Sequence, residues 1–92
     1  MEKEKRIALI LVALKAEKII ENEVLAIMQK FKKNIRASVR TDDNEDGGLL
    51  VGILAKISTD ELGAITGSLG RIKGVRVKSA VLPLETGAKE SL

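Results

Sequence analysis

The side chains able to do chemistry in this 92-residue chain are carboxylates, lysines, arginines and a few hydroxyls, because it contains neither cysteine nor histidine. Thiol redox chemistry, disulfide scaffolding, zinc-finger or haem ligation and every imidazole-based acid–base mechanism are thereby excluded. The densest set of oxygen ligands is Asp42, Asp43, Glu45 and Asp46. It could attract a hard cation, but it lacks EF-hand spacing, including the Glu at the twelfth position, and reads as a solvated hairpin turn. No carboxylate pair, no nucleophile beside a base and no metal constellation can be assembled, so the chain is expected to be non-enzymatic, without metal or cofactor. Basic residues gather at Lys30, Lys32, Lys33, Arg36 and Arg40, where a helix end and an edge strand account for most of them. Arg36, Arg40, Arg76 and Lys78 are the candidate anion contacts.

Glycines supply the other unusual spacing. Gly63, Gly67, Gly70 and Gly74 punctuate one amphipathic stretch, and each interior helical glycine costs roughly 0.5–1 kcal/mol relative to alanine. Gly63, Gly67 and Gly70 are therefore expected to serve close packing or a ligand. A phosphate loop is disfavoured, since these glycines do not join a strand to a helix start and Asp60 and Glu61 at that start would repel phosphate.

The elements that must position these residues follow from periodicity. Arg6 to Leu14 is a continuous apolar run of the kind found in a strand buried on both faces. From Glu17 to Lys33, Ile20, Val24, Ile27, Met28 and Phe31 recur at steps of three and four, which predicts an amphipathic helix. Ile35, Ala37 and Val39 alternate with Arg36, Ser38 and Arg40, the period of a half-buried strand, and Asp42 to Gly48 follows as an acidic turn. Leu49 to Ile57 is a third strand, hairpinned to the second. Ser58 and Glu61 form the two ends of a capping box that opens a second helix, whose stripe is Leu62, Ile65, Leu69 and Ile72 and whose stop is Gly74. Val75 to Leu82 is the last strand. The order predicts an α+β, ferredoxin-like βαββαβ domain over residues 1–84: a four-stranded antiparallel sheet in the order 4-1-3-2, with two helices on one face. Residues 85–92 are expected to be a flexible tail.

The same alternation predicts an uncovered sheet face. With Ile7, Leu9, Leu11, Val51, Ile53, Val75 and Val77 placed under the helices, the alternate residues point away from them. Ile10, Val12, Leu50, Leu54 and Leu82 are the expected oligomer interface, rimmed by Lys56, Arg36, Arg40, Arg76 and Lys78. A dimer or tetramer is the expected occupant, with a protein partner or a small-molecule effector as alternatives.

Composition narrows the field further. The 16 basic and 13 acidic residues, for a net charge of +3, permit DNA contact without indicating a dedicated nucleic-acid binder. Phe31 is the single aromatic residue and lies in a predicted helix, so the aromatic strands of an RNA-recognition domain are missing. Copper chaperones and bacterial ferredoxins need cysteine thiolates. The longest apolar run falls short of the roughly 20 residues of a membrane span, and Met1 to Lys5 does not have the shape of a signal peptide, so the expected location is cytoplasmic.

The segment Gly63-Ala-Ile-Thr-Gly-Ser-Leu-Gly-Arg-Ile-Lys-Gly-Val-Arg-Val-Lys78 resembles the second helix and last strand of the small iron-only hydrogenase system regulators. Element order and length agree over nearly the whole chain. The resemblance implies an ACT-like ferredoxin fold and a bacterial, cytoplasmic, oligomeric transcriptional regulator linked to hydrogenase expression or maturation. The fold is also similar to the regulatory domain of nickel-responsive repressors, whose metal site uses His and Cys. This chain has neither, and with few residues before Arg6 their separate DNA-binding segment is not expected here. ACT domains commonly bind amino acids near a glycine-containing turn after the first strand; here that turn reads Leu14-Lys-Ala-Glu17. Small-molecule sensing, of an amino acid or a nucleotide, and weak DNA binding through the basic rim are the alternative functions.

Overall fold

Branched and leucine-rich runs build the two middle strands of the sheet, where both faces of a strand meet apolar surroundings. The computed structural model describes residues 4–43 and 47–83. The chain runs β1 (Lys5–Lys15), α1 (Lys18–Lys30), β2 (Ile35–Asp43), β3 (Gly48–Ser58), α2 (Thr59–Gly70) and β4 (Val75–Val81). The four strands form one sheet in the order β2-β3-β1-β4, and every pairing is antiparallel. This is the ferredoxin-like topology and strand order expected from the sequence. The tail 85–92, with Glu45 and Asp46 of the acidic turn, lies outside the described residues.

The core lies between the sheet and the helices. Ala8, Ile10, Val12 and Leu14 of β1 and Leu49, Ile53, Ala55 and Ile57 of β3 meet Ile20 and Val24 of α1, Ile65 and Leu69 of α2, and Val75 of β4. Each large side chain withdrawn from water here contributes roughly 1.5–3 kcal/mol.

This arrangement corrects the expected facing of β1. Ile10 and Val12 are fully buried beneath the helices, at 0% and 2% exposure, and it is Ile7, Leu9 and Leu11 that point to the open side. The reason is that β1 is apolar on both faces, so its own alternation carries no orientation. Pairing decides instead: Ile10 sits opposite Ile53, and Val12 opposite both Val51 and Val77. Directly paired residues share a face, and a shift of one residue exchanges the two faces. β3 and β4 face as expected, with Leu50, Gly52, Leu54, Ala80 and Leu82 on the open side.

Element ends also differ from the sequence reading. α1 stops at Lys30, and residues 31–34 form a turn in which the Phe31 N–H donates to the Met28 carbonyl. α2 ends at Gly70, short of Gly74. Gly74 has φ +90°, a backbone region that favours glycine, and a Cβ there would lie 3.0 Å from Ile20 Cδ1. β2 continues through Asp42 and Asp43, which pair with Leu49 and Gly48 and so extend the strand instead of turning it.

Candidate functional site: the open face of the sheet

Cross-strand pairing sorts the uncovered side chains into rows running across β4, β1, β3 and β2. One row reads Ala80, Leu9, Leu54, Ala37; the next Lys78, Leu11, Gly52, Val39; the next Arg76, Ala13, Leu50, Thr41. A further row begins with Leu82, whose N–H donates to the Ile7 carbonyl, and continues through Ile7 to Lys56. Large and small residues alternate on β3 as Leu50, Gly52 and Leu54, while β1 presents Leu9, Leu11 and then Ala13. Leu11 and Leu50 stand diagonally about the small pair Ala13 and Gly52, leaving a shallow groove of about 660 Å³ bounded by Val39, Thr41, Arg76 and Lys78.

The exposed apolar strip is continuous. Leu11 is 56% exposed, Val39 69% and Leu82 61%, while Leu9, Leu50 and Leu54 each remain more than two-fifths exposed. Patches of this kind on small soluble domains mark interaction surfaces. The cations facing the same way are Lys15, Lys56, Arg76 and Lys78, and in register Asp43 stands in the row of Lys15, across Gly48.

Of the residues expected at an interface, Leu50, Leu54 and Leu82 lie on this face, whereas Ile10 and Val12 do not, being core. Leu9, Leu11, Ala13, Val39 and Thr41 complete the face with Gly52 and were missed, whereas Gly52 faces this side as its strand's alternation predicts. The isolated Gly52 inside a strand run was the legible signal, since such a glycine often marks a close approach.

The four candidate anion contacts do not converge. Arg76 and Lys78 stand at the β4 edge of the open face, and β2 lies at the opposite edge of the sheet. Arg40 points to the helix side, where its Nη2 is 3.1 Å from Glu21 Oε1, and Arg36 Nη1 donates to the Lys33 carbonyl at 3.0 Å. The close-packing expectation for the α2 glycines also needs correction. A Cβ at Gly63 would meet nothing within 4 Å, one at Gly67 only the Arg71 side chain at 3.8 Å, and one at Gly70 an ordinary contact with Val77 at 3.5 Å. The face of α2 that packs is the Ile65 and Leu69 stripe; Gly63 lies away from it.

At the far end of the sheet the predicted capping box is present: Ser58 Oγ accepts from the Glu61 N–H, and Glu61 Oε1 accepts from the Ser58 N–H. The same Oε1 accepts from Lys5 Nζ at 3.0 Å and Asn34 Nδ2 at 3.3 Å. The Ser58 backbone N–H first, then Lys5, hold the Glu61 carboxyl down at about 2 from its usual 4.5. The buried Asn34 also donates to the Lys56 carbonyl at 3.2 Å. This cluster joins β1, the turn before β2, β3 and α2, and its role is structural.

Comparison with known proteins agrees with the fold. The protein TM1266 from Thermotoga maritima, of uncharacterized function, is 28% identical and superposes with a TM-score of 0.84, covering 87% of this chain and 100% of its own. The ACT domain of the GTP pyrophosphokinase of Chlorobium tepidum is 23% identical in its crystal structure, with a TM-score of 0.71 over 83% of this chain and 99% of that domain. Its solution structure gives 21% and 0.69, over 90% and 94%. The fold is thus ACT-like. No curated protein matches the chain. The TM1266-like family profile, described as "Iron-only hydrogenase system regulator, putative", matches residues 6–79. The chain belongs to this TM1266-like family of iron-only hydrogenase system regulators.

Proposed function

We propose that this protein is a non-enzymatic transcriptional regulator of an iron-only hydrogenase system, acting as a homo-oligomer assembled through the open face of its sheet. The observation that carries the reading is the continuous strip of Leu9, Leu11, Leu50 and Leu54, left in water by the isolated chain. Burial of such side chains supplies the free energy of association, and the cations at its edge form the polar rim of an interface. Regulation by protein contact fits an assembly better than direct DNA binding does, because Arg40 is engaged by Glu21 and the remaining cations are divided between opposite sheet edges.

The test is genetic and biochemical together. Deleting the gene should change the transcript level of the hydrogenase genes, and wild-type protein should restore it. Leu54→Asp should not restore it although the variant stays folded, since a carboxylate at a buried interface position is left unpaired. Unchanged transcripts on deletion would contradict the regulatory reading. Full rescue by the Asp variant would contradict the role of the sheet face.

A second reading, small-molecule sensing, is supported by a groove of about 460 Å³ at the end of the sheet, lined by Lys15, Gly47, Gly48, Gly74 and Arg76. Two cations beside exposed backbone suit an anionic amino acid or nucleotide. A ligand that binds the native state raises the melting temperature, so a thermal-shift screen over both classes decides this reading, and no shift at millimolar ligand removes it.

A further inference from the structure

We infer that the open face is self-complementary about one particular axis, and that two copies pack sheet on sheet with a two-fold axis running along the strands between β1 and β3. This rests on the proposal that the face mediates self-association and specifies its geometry. A closed pair of identical chains brings the same patch together twice, so the patch must fit its own rotated copy. Two axes lying in the plane of the sheet are available to face-to-face sheets of this shape.

The axis along the strands preserves each row and reverses its order. β1 of one copy then lies over β3 of the other, and β4 over β2. Leu11 is set over the partner copy's Gly52 and Leu50 over the partner copy's Ala13, large on small in both rows and on both sides of the axis. Leu9 and Leu54 meet as an apolar pair in the adjoining row. Arg76 and Lys78 come over Thr41 and Val39 of β2, away from their own copies. The axis across the strands would do the reverse, stacking β4 on β4 and placing Arg76 and Lys78 near their own copies. Large-on-small matching in these two central rows permits the facing sheets to approach at the usual ~10 Å, with their strands crossing at about 30° from the twist of each sheet. Since β1 and β3 flank the midline, twist displaces the four matched positions least. Gly52 thereby acquires a role: it is the socket for Leu11.

The geometry makes Gly52→Leu the informative variant. A Cβ at Gly52 meets nothing within 4 Å in the single chain, so the added side chain does not disturb the protomer, and thermal melting followed by circular dichroism verifies this. Measured by sedimentation across a concentration series, Gly52→Leu should weaken dimerisation by at least about tenfold, a shift of about 1.4 kcal/mol. Leu11→Ala should weaken it to a lesser extent. The double variant Leu11→Ala with Gly52→Leu exchanges knob and socket and should recover most of the loss. If wild type dimerises and Leu54→Asp abolishes the dimer but Gly52→Leu does not, or the double variant shows no recovery, the axis is overturned while the face stands. If Leu54→Asp leaves the dimer intact, or wild type is monomeric at every concentration, the face itself is overturned, and the axis with it.

Discussion

Glu61 shows how one side chain can tie together parts of the chain that are distant in sequence. Its Oε1 meets the Ser58 N–H, Lys5 and Asn34, and the carboxyl is held ionised down to about 2. A folded-state value below the usual 4.5 means that ionised Glu61 favours the native state fully above that range and loses this contribution as pH falls towards 2. Because the Lys5 pair is exposed and screened by water, most of the effect resides in the capping hydrogen bonds. Glu61→Gln should therefore lower the melting temperature at pH 7, with the gap to wild type closing as melts are repeated towards pH 2. At β1 the residue scale has a sharper contrast. In denaturant unfolding at dilutions where the chain is a single copy, Ile10→Ala should cost about 2–5 kcal/mol, as expected for a buried Ile truncated to Ala, whereas Leu9→Ala should change stability by no more than about 0.5 kcal/mol, as a surface change does. The pair measures directly which face of β1 is covered.

Among the elements, α2 is capped well and packed on one side only. Gly63 is exposed and a Cβ there has open space, so Gly63→Ala should raise stability by about 0.4–1 kcal/mol through the lower entropy of the unfolded chain. Chemical denaturation measures this, and a loss of stability would show that Gly63 serves a contact absent from the single chain. The capping box was legible because Ser58 and Glu61 have the right spacing and both partners are local. Strand order was legible from polarity, since basic residues fall on β2 and β4 and apolar runs on β1 and β3. The facing of β1 was not, because Ile7 to Leu14 is apolar throughout and its orientation depends on pairing with Ile53 and Val77. The ends of α1 and α2 were overestimated for a related reason. Lys32 and Lys33 are good helix formers, yet the turn of residues 31–34 must bring Asn34 to Lys56. The candidate site divides in the same way: Leu50, Gly52, Leu54 and Leu82 could be read from their own strands, while Leu11, Ala13 and Val39 join that surface only once three strands are in register.

For the whole molecule, size sets the problem. A chain of 92 residues buries only about 60–65% of the surface it would expose when unfolded, and here a strip of large apolar side chains is left over on one face. ACT-like topology places both helices on the other side and so leaves that strip for another molecule to cover. Membership of the iron-only hydrogenase system regulators is the ground on which the proposed assembly is given a regulatory role. On the function proposed, a second copy of the chain covers this face. The most direct test is the molar mass of the wild-type protein by light scattering at near-physiological salt across a dilution series. A mass of two or four chains that falls to one on dilution is the result the account predicts, and a single-chain mass at every concentration would contradict it.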